Sequence, residues 1–224
     1  ALASTEKWAK FFNFKFDTEI INLGSLDATS QVMSIKRKKP THIVIHHGSP
    51  GMVVLLRDLK KFGLHTPVFG TTIACTEDTV KMARSASKNS IGAHPFCSWH
   101  DDFEGPIKMR EITLKYRPNA KNKSRSMMYT AGWVASTTVY EGIKKAGRDL
   151  NVESVLRGLE AITNLDTKGL SGPINFSPTN HKGVEHSKLY EADPESGRLI
   201  PITDWRKAPV RKKIHLKRLT VKKK

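Results

Sequence analysis

Apolar positions along the chain change their spacing several times, and each change marks an element. Ile43-Val44-Ile45 is a short β-branched run, too brief for a free-standing helix, and it predicts a buried strand. A polar, glycine-containing turn follows (His46-His47-Gly48-Ser49-Pro50-Gly51). Met52, Leu55, Leu56, Leu59 and Phe62 then recur at three- and four-residue steps, one face of a helix that stops at Gly63. Pro67-Val68-Phe69-Gly70 begins the next strand. This is a βαβ unit, and its crossover requires a parallel pair. Upstream, residues 3–12 predict a helix capped by Ser4 or Thr5, with Trp8, Phe11 and Phe12 on one side. Thr18–Leu23 predicts a strand and Gly24–Asp27 a turn. Asp27 is placed to cap a helix through Lys38 in which Val32 and Ile35 face inward. Downstream, Thr79–Ser87 reads as a short helix and Ser90–His94 as a strand.

The rhythm then alters. Glu104–Tyr116 predicts a helix with Ile107, Ile112 and Leu114 inward, followed by a hydrophilic loop over Arg117–Ser126. Met127–Ala146 is the longest helix, with Tyr129, Trp133, Val134, Thr137 and Tyr140 at core spacing, and Val152–Ile162 is another. Residues 174–204 predict short strands, INF, HSKLYEA and RLIPIT, the last two flanking a hairpin turn at Asp193–Gly197. Between 104 and 163 three amphipathic helices have no strand to cover, so their apolar faces need a sheet the sequence does not contain. The first helix likewise has no strand before it. The simplest expectation is an absent N-terminal part.

Charge and composition change this picture little. Net charge is +17, but ten Lys/Arg and no Asp/Glu lie from Arg206 onward, leaving about +7 for the body. The Lys36–Lys39 run complements the C-terminal dipole of its helix. The tail RKAPVRKKIHLKRLTVKKK suits a solvated extension, an edge strand, or contact with nucleic acid or an anionic membrane surface. No apolar run approaches the ~20 residues that span a bilayer, and no signal peptide is visible. Cys75 and Cys97 are too few for a disulfide framework, and stand as a single pair or as separate thiols.

The chemistry-bearing residues point to binding rather than catalysis. In open parallel sheets ligands sit beyond the carboxyl ends of the strands, which selects the loops at Gly48-Ser49, Thr71-Thr72 and His94-Pro95. His46, His47, His94 and His100 with Cys97 cluster near strand ends, but no HxH, HExxH or CxxC spacing supports a metal. His46 is expected to point into the side of the sheet and His47 toward the loop. HHGSPG resembles an oxyanion loop of α/β-hydrolases, the alternative enzyme reading. That fold needs a G-x-S-x-G elbow, and Gly169-Leu170-Ser171-Gly172 breaks at Pro173. No phosphate-cradling GxxxxGK[ST] is present either.

Taken in order, five segments resemble the periplasmic ligand-binding proteins of the branched-chain amino-acid type, the extracytoplasmic receptors of ABC transporters. They are LGSLDATSQ, PTHIVIHHGSPGMVVLLRDLKKFGL, YTAGWVASTTVYEGIKKAG followed by NVESVLRGLE, and GLSGPINFSPTNHKG with the hairpin reaching ITDW. The resemblance implies an α/β fold: a parallel-sheet sandwich lobe of a two-lobed clamp, with the N-terminal half missing. It assigns 1–100 and 174–205 to lobe two, 101–173 to the helical portion of lobe one, and 206–224 to a basic C-terminal tail. It implies a non-catalytic receptor without cofactor, periplasmic or extracellular. Its partners are a small-molecule ligand, an ABC transporter permease and the missing N-terminal lobe. Ligand contacts carry over to His47, Gly48, Ser49, Thr71, Thr72 and Ile73. An aromatic position of the family falls on Gly48, and the acidic residue that pairs with a ligand ammonium falls on Thr72. A buried ammonium without that carboxylate costs several kcal/mol, so ligands with hydroxyl, amide or carboxylate groups, or aromatic acids, are expected over α-amino acids.

Overall fold

The computed structural model describes residues 2–120 and 124–207. Its elements are α1 (Leu2–Phe11), α2 (Thr29–Lys38), β1 (Ile43–Ile45), α3 (Ser49–Lys61), β2 (Val68–Gly70), α4 (Glu77–Ala83) and β3 (Ser90–His94). There follow α5 (Glu104–Tyr116), α6 (Met127–Ala146), α7 (Val152–Glu160), β4 (Ile174–Ser177), β5 (Asn180–Val184), β6 (His186–Asp193), β7 (Arg198–Pro201) and β8 (Arg206–Lys207). No described helix is long and apolar enough to cross a membrane.

β1, β2 and β3 run parallel, as the βαβ pattern requires. The sheet is not parallel throughout. β6 joins β3 antiparallel and β7 joins β6 through the Asp193–Gly197 turn, so the order is β1-β2-β3-β6-β7 in a mixed sheet. A two-residue β8 pairs with β6, which places Arg206 and Lys207 of the basic tail in the sheet; residues 208–224 lie outside the described part. Burial on the helix faces follows their periodicity. Val32 and Ile35 of α2, and Met52, Leu55, Leu56 and Leu59 of α3, pack with Ile45, Val68, Val80 and Tyr190 in one core. The cap position of α2 falls on Ala28, one residue after the expected Asp27: the Asp27 carboxylate accepts from Thr29 N–H (3.1 Å), and Asp58 of α3 accepts the Ala28 N–H at 2.6 Å. The Ser4 hydroxyl lies outside the described side chains.

A second core gathers Cys97, Trp99, Met109, Val134, Ile162, Leu170 and Ile174, with Tyr129, Trp133 and Trp205 packed against it. α6 and α7 cross closely enough that a Cβ on Gly158 would collide with the Gly142 carbonyl. Asn151 and Ser154 start α7 with a reciprocal cap. Three expectations fail, two of them in this part of the chain. Met109 and Thr113, not Ile107, Ile112 and Leu114, form the buried stripe of α5, and Ile107 is exposed. Tyr140 is 62% exposed rather than core, and Val139, Ile143, Val152 and Leu156 join it on an open apolar face of α6 and α7. Thr18–Leu23 forms no strand. A strand exists only with a ladder partner, and among the described residues this segment has none.

Candidate functional site

The ends of the three parallel strands bring the expected loops together. In the β1–β2 register Ile45 lies opposite Gly70, and the Thr71 N–H donates to the Ile45 carbonyl (3.2 Å) just beyond it. The following turn closes on Thr71, whose carbonyl accepts from Ala74 N–H (2.8 Å) and Cys75 N–H (3.2 Å). Gly70 leaves no room for a side chain there: a Cβ would stand 2.7 Å from the Cys75 Cβ and 2.9 Å from the Met52 sulfur.

Each of the six candidate residues has a definite place. Gly48 is extended and precedes α3, with Pro50 in the first turn where its missing N–H does no harm. The Ser49 hydroxyl donates to the Ile73 carbonyl (3.2 Å) and shares a hydrogen bond with the Thr76 hydroxyl (3.0 Å), tying the first loop to the second. The Thr72 hydroxyl donates to the Ala93 carbonyl at 3.1 Å, tying the second loop to β3. The Ile73 side chain is exposed. His47 lies over Gly51, where a Cβ would strike its ring. Its Nδ1 meets the Gly48 carbonyl at 3.2 Å, while Nε2 is buried with no protein partner. The Thr71 hydroxyl is likewise buried and unpartnered. Two polar atoms on adjacent strand ends are thus buried without a protein partner in this conformation.

The surroundings favour acceptor groups. Residues 46–49 and 71–76 contain no Asp or Glu. Glu77 is turned inward, accepting from the Ser98 hydroxyl (2.9 Å) and the Met127 N–H (3.2 Å), and burial raises its pKa. The first turn of α3 adds the Ser49 and Gly51 N–H groups at the positive end of its dipole, Pro50 having none and Met52 donating to the Gly48 carbonyl (3.3 Å). A concavity lined by Arg57, Lys60, Lys61 and Arg84 sits at the other end of α3 and includes none of the six.

His46 is exposed rather than turned into the sheet, whereas His94 is fully buried. Burial lowers the His94 pKa to about 4, so the ring is neutral, set edge-on to Tyr190 at 5.7 Å between centroids. Among the described residues no group of three or more His, Cys, Asp or Glu is placed to hold a metal. Cys75 and Cys97 are free thiols in different cores, each pushed up to about 12 by burial. Ser171 is buried in its turn, bonded to Thr167 and the Gly172 carbonyl.

Sequence reading missed a buried network where the chain passes between the two cores. The Tyr190 hydroxyl donates to Asp101 at 2.8 Å, and burial raises the pKa of both. Lys188, 2% exposed, lies 4.1 Å from the Phe103 ring centroid and 5.0 Å from that of Trp205. The segments 96–105 and 167–171 run side by side here, through Cys97 N–H to Leu170 (2.9 Å) and Gly105 N–H to Lys168 (2.7 Å). A lysine inside an otherwise apolar alternation on β6 was the available signal; that it would meet Phe103 and Trp205, on segments to either side of it in the chain, was not.

A family model described as periplasmic binding protein matches residues 1–198. No curated protein matches the sequence. Among solved structures the chain is similar to a branched-chain amino-acid ABC transporter protein from Thermus thermophilus with bound valine. That match has a TM-score of 0.80 at 21% identity, over 91% of this chain and 56% of that one. It is similar to a fatty-acid ABC transporter substrate-binding protein from Thermomonospora curvata, with a TM-score of 0.80 at 20% identity, over 93% and 54%. It is also similar to a leucine-binding protein from Thermotoga maritima, with a TM-score of 0.72 at 14% identity, over 87% and 53%. The chain thus spans about half the length of these structures.

Proposed function

The chain belongs to the periplasmic binding protein family, and from that premise we propose that it supplies one side of a solute-binding cleft in an extracytoplasmic receptor of an ABC transporter. We assign the ligand loops to a lobe drawn from 1–100 and 174–205 and the helices of 101–173 to the other lobe; Cys97, Trp99, Ile174 and Trp205 lie at the boundary, packed in the second core. Closure of the lobes on the ligand presents a surface to the transporter permease. The observation that carries the reading is the pair of buried, unpartnered atoms, His47 Nε2 and Thr71 Oγ1, at neighbouring ends of a parallel sheet. Ser49 and Thr72 spend their hydroxyls holding the loops together, so they shape the site rather than face the ligand.

The ligand we infer is a small polar organic acid. Hydroxyl, imidazole and backbone N–H groups satisfy a carboxylate or hydroxyl, while a ligand ammonium finds no carboxylate in these loops. A chain with half a cleft buries a ligand incompletely, so binding is weak. Thermal-shift titration of the chain with small hydroxy and aromatic carboxylic acids, leucine and valine tests this. The acids raise Tm and the amino acids do not; His47→Ala and Thr71→Val each weaken the effect by about tenfold, since each leaves one ligand group unpaired. Stabilisation by leucine in the absence of any effect from the acids would overturn the assignment.

A further inference from the structure

The end of α3 away from the ligand loops carries positive charge that nothing nearby balances. Arg57, Lys60 and Lys61 of α3, with Arg84 and Ser85 across from them, line a concavity of about 460 Å³. No Asp or Glu lines it, and among the described residues none of these four cations is paired with a carboxylate. Asp58, the acidic neighbour in α3, is buried and accepts the Ala28 N–H. Lys60 and Lys61 stand in the last turn, where cations complement the helix dipole. That accounts for the two lysines and leaves Arg57 and Arg84 unexplained. Arg57 lies three and four residues before Lys60 and Lys61, so like charges face one another on one helix surface. Lys36 of α2 extends the cationic end, with Nζ 3.5 Å from the Phe62 carbonyl.

Two of these side chains are already held across the hollow. Arg57 Nη2 donates to the Met82 carbonyl at 2.7 Å, and Lys60 Nζ donates to the Ser85 hydroxyl at 2.5 Å. Each bond fixes a cationic head and leaves it further N–H donors. The backbone gives a second observation. Arg84 ends α4 at φ 52° and ψ −134°, a conformation that favours glycine. Its N–H donates to the Val80 carbonyl, and its carbonyl accepts from the Ser87 hydroxyl at 2.7 Å, so its neighbours hold it there. Glycine would sit in that turn without strain and would lack the guanidinium. An arginine kept in a glycine's conformation, at the rim of a cationic hollow, points to a role for its side chain.

We propose that the concavity between the C-terminal half of α3 and residues 82–86 is an oxyanion site that takes a phosphate-bearing ligand, recognised by Arg57 and Arg84. Cations reach the hollow from both sides, which suits a group carrying about two negative charges and oxygens in several directions better than a single carboxylate. The planar guanidinium forks grip two oxygens each, and Lys60 and Lys61 add point charges. The bound anion also relieves the repulsion along α3. A free phosphate compound and a phospholipid headgroup present the same chemistry to this site. The site lies at the opposite end of α3 from the 47–49 loop, so the proposal is independent of the receptor reading.

The test titrates the full chain with inorganic pyrophosphate at low ionic strength by calorimetry, beside Arg57→Gln, Arg57→Lys and Arg84→Gly. All four chains keep the basic tail, so a difference among them reads the concavity. The expected result is saturable one-to-one binding, weakened about tenfold by Arg57→Gln and by Arg84→Gly. Arg57→Lys keeps the charge and loses the fork, so it too binds several times more weakly. Arg84→Gly relieves the backbone, so the Tm of the ligand-free chain holds or rises and weaker binding is not lost folding. Unchanged affinity in Arg57→Gln and Arg84→Gly would overturn the proposal, because the tail or the general surface charge then holds the anion. So would binding that never saturates. Cosedimentation with phosphatidylglycerol vesicles, against phosphatidylcholine vesicles, separates the two sources. Vesicle binding lost in the same variants supports the site with a lipid headgroup as its ligand; pyrophosphate binding without it supports the site with a soluble phosphate.

Discussion

His94 makes acid stability a direct readout of burial at the end of β3. Its ring is fully buried, and its pKa falls from 6.5 to about 4 because burial disfavours the charged form and outweighs the contact with the Cys75 backbone that favours it. The folded-state value lies below the unfolded one. Between them the unfolded chain holds the extra proton, so stability is complete above pH 6.5 and is lost as pH falls toward 4. At 1.36 kcal/mol per pKa unit the full gap is worth about 3 kcal/mol, of which about 2 kcal/mol is lost by pH 5. Asp101 and Glu77 act in the opposite sense: burial raises their pKa values above 3.8 and 4.5, so their contribution grows as pH falls through that range. The wild-type profile is therefore a sum. The difference between wild type and His94→Leu isolates the histidine, since leucine fills similar space and does not titrate. Urea unfolding of both chains at several pH values from 4 to 7.5 measures it. The wild type should lose about 2 kcal/mol relative to the variant between pH 7 and pH 5. Parallel profiles would show that the ring is protonated in the folded chain and that the burial argument is wrong.

Three further outcomes follow from the same packing. Tyr190→Phe removes the donor to a buried Asp101 oxygen and should cost about 1–3 kcal/mol in urea unfolding; an unchanged midpoint would mean that water reaches Asp101. Gly70→Ala places a Cβ against Cys75 and Met52, where both neighbours are packed, and should destabilise by about 1–3 kcal/mol, whereas Gly132→Ala, with open space around it, should not. Cys75 and Cys97, with thiols pushed up to about 12, should resist iodoacetamide at pH 8 until the chain is unfolded; rapid labelling of either in the folded chain would contradict its burial.

Much of the ligand-loop architecture was legible because it is local. A β-branched triplet, a glycine-containing turn and a leucine face at helical spacing specify β1, α3 and β2 within thirty residues, and the strand-end rule then selects the loops at 47–49 and 71–73. Which atoms of those loops remain free was not legible. Ser49 and Thr72 look alike in sequence to Thr71, yet the first two are consumed by Ile73, Thr76 and Ala93, and only the packed loops reveal that. The inward face of α5 was misread for a related reason. Ile107 and Leu114 outrank Met109 and Thr113 in hydrophobicity, but the side that packs is the one turned to Trp99, Tyr129 and Leu170, and periodicity cannot say where the neighbour stands.

By itself the sequence determined the α/β alternation, the parallel start of the sheet, the hairpin at Asp193–Gly197 and the presence of more apolar helix than the described strands cover. These follow from backbone geometry and hydrophobic period, which act over a few residues. Tertiary structure alone decided that Thr18–Leu23 has no ladder partner among the described residues, that β6 returns antiparallel beside β3, and that Asp101, Lys188 and Tyr190 meet between the two cores. A ladder partner, a strand's neighbour and a buried polar contact each depend on residues distant in the chain. Their free energies come from exclusion of water between surfaces that only the folded chain brings together.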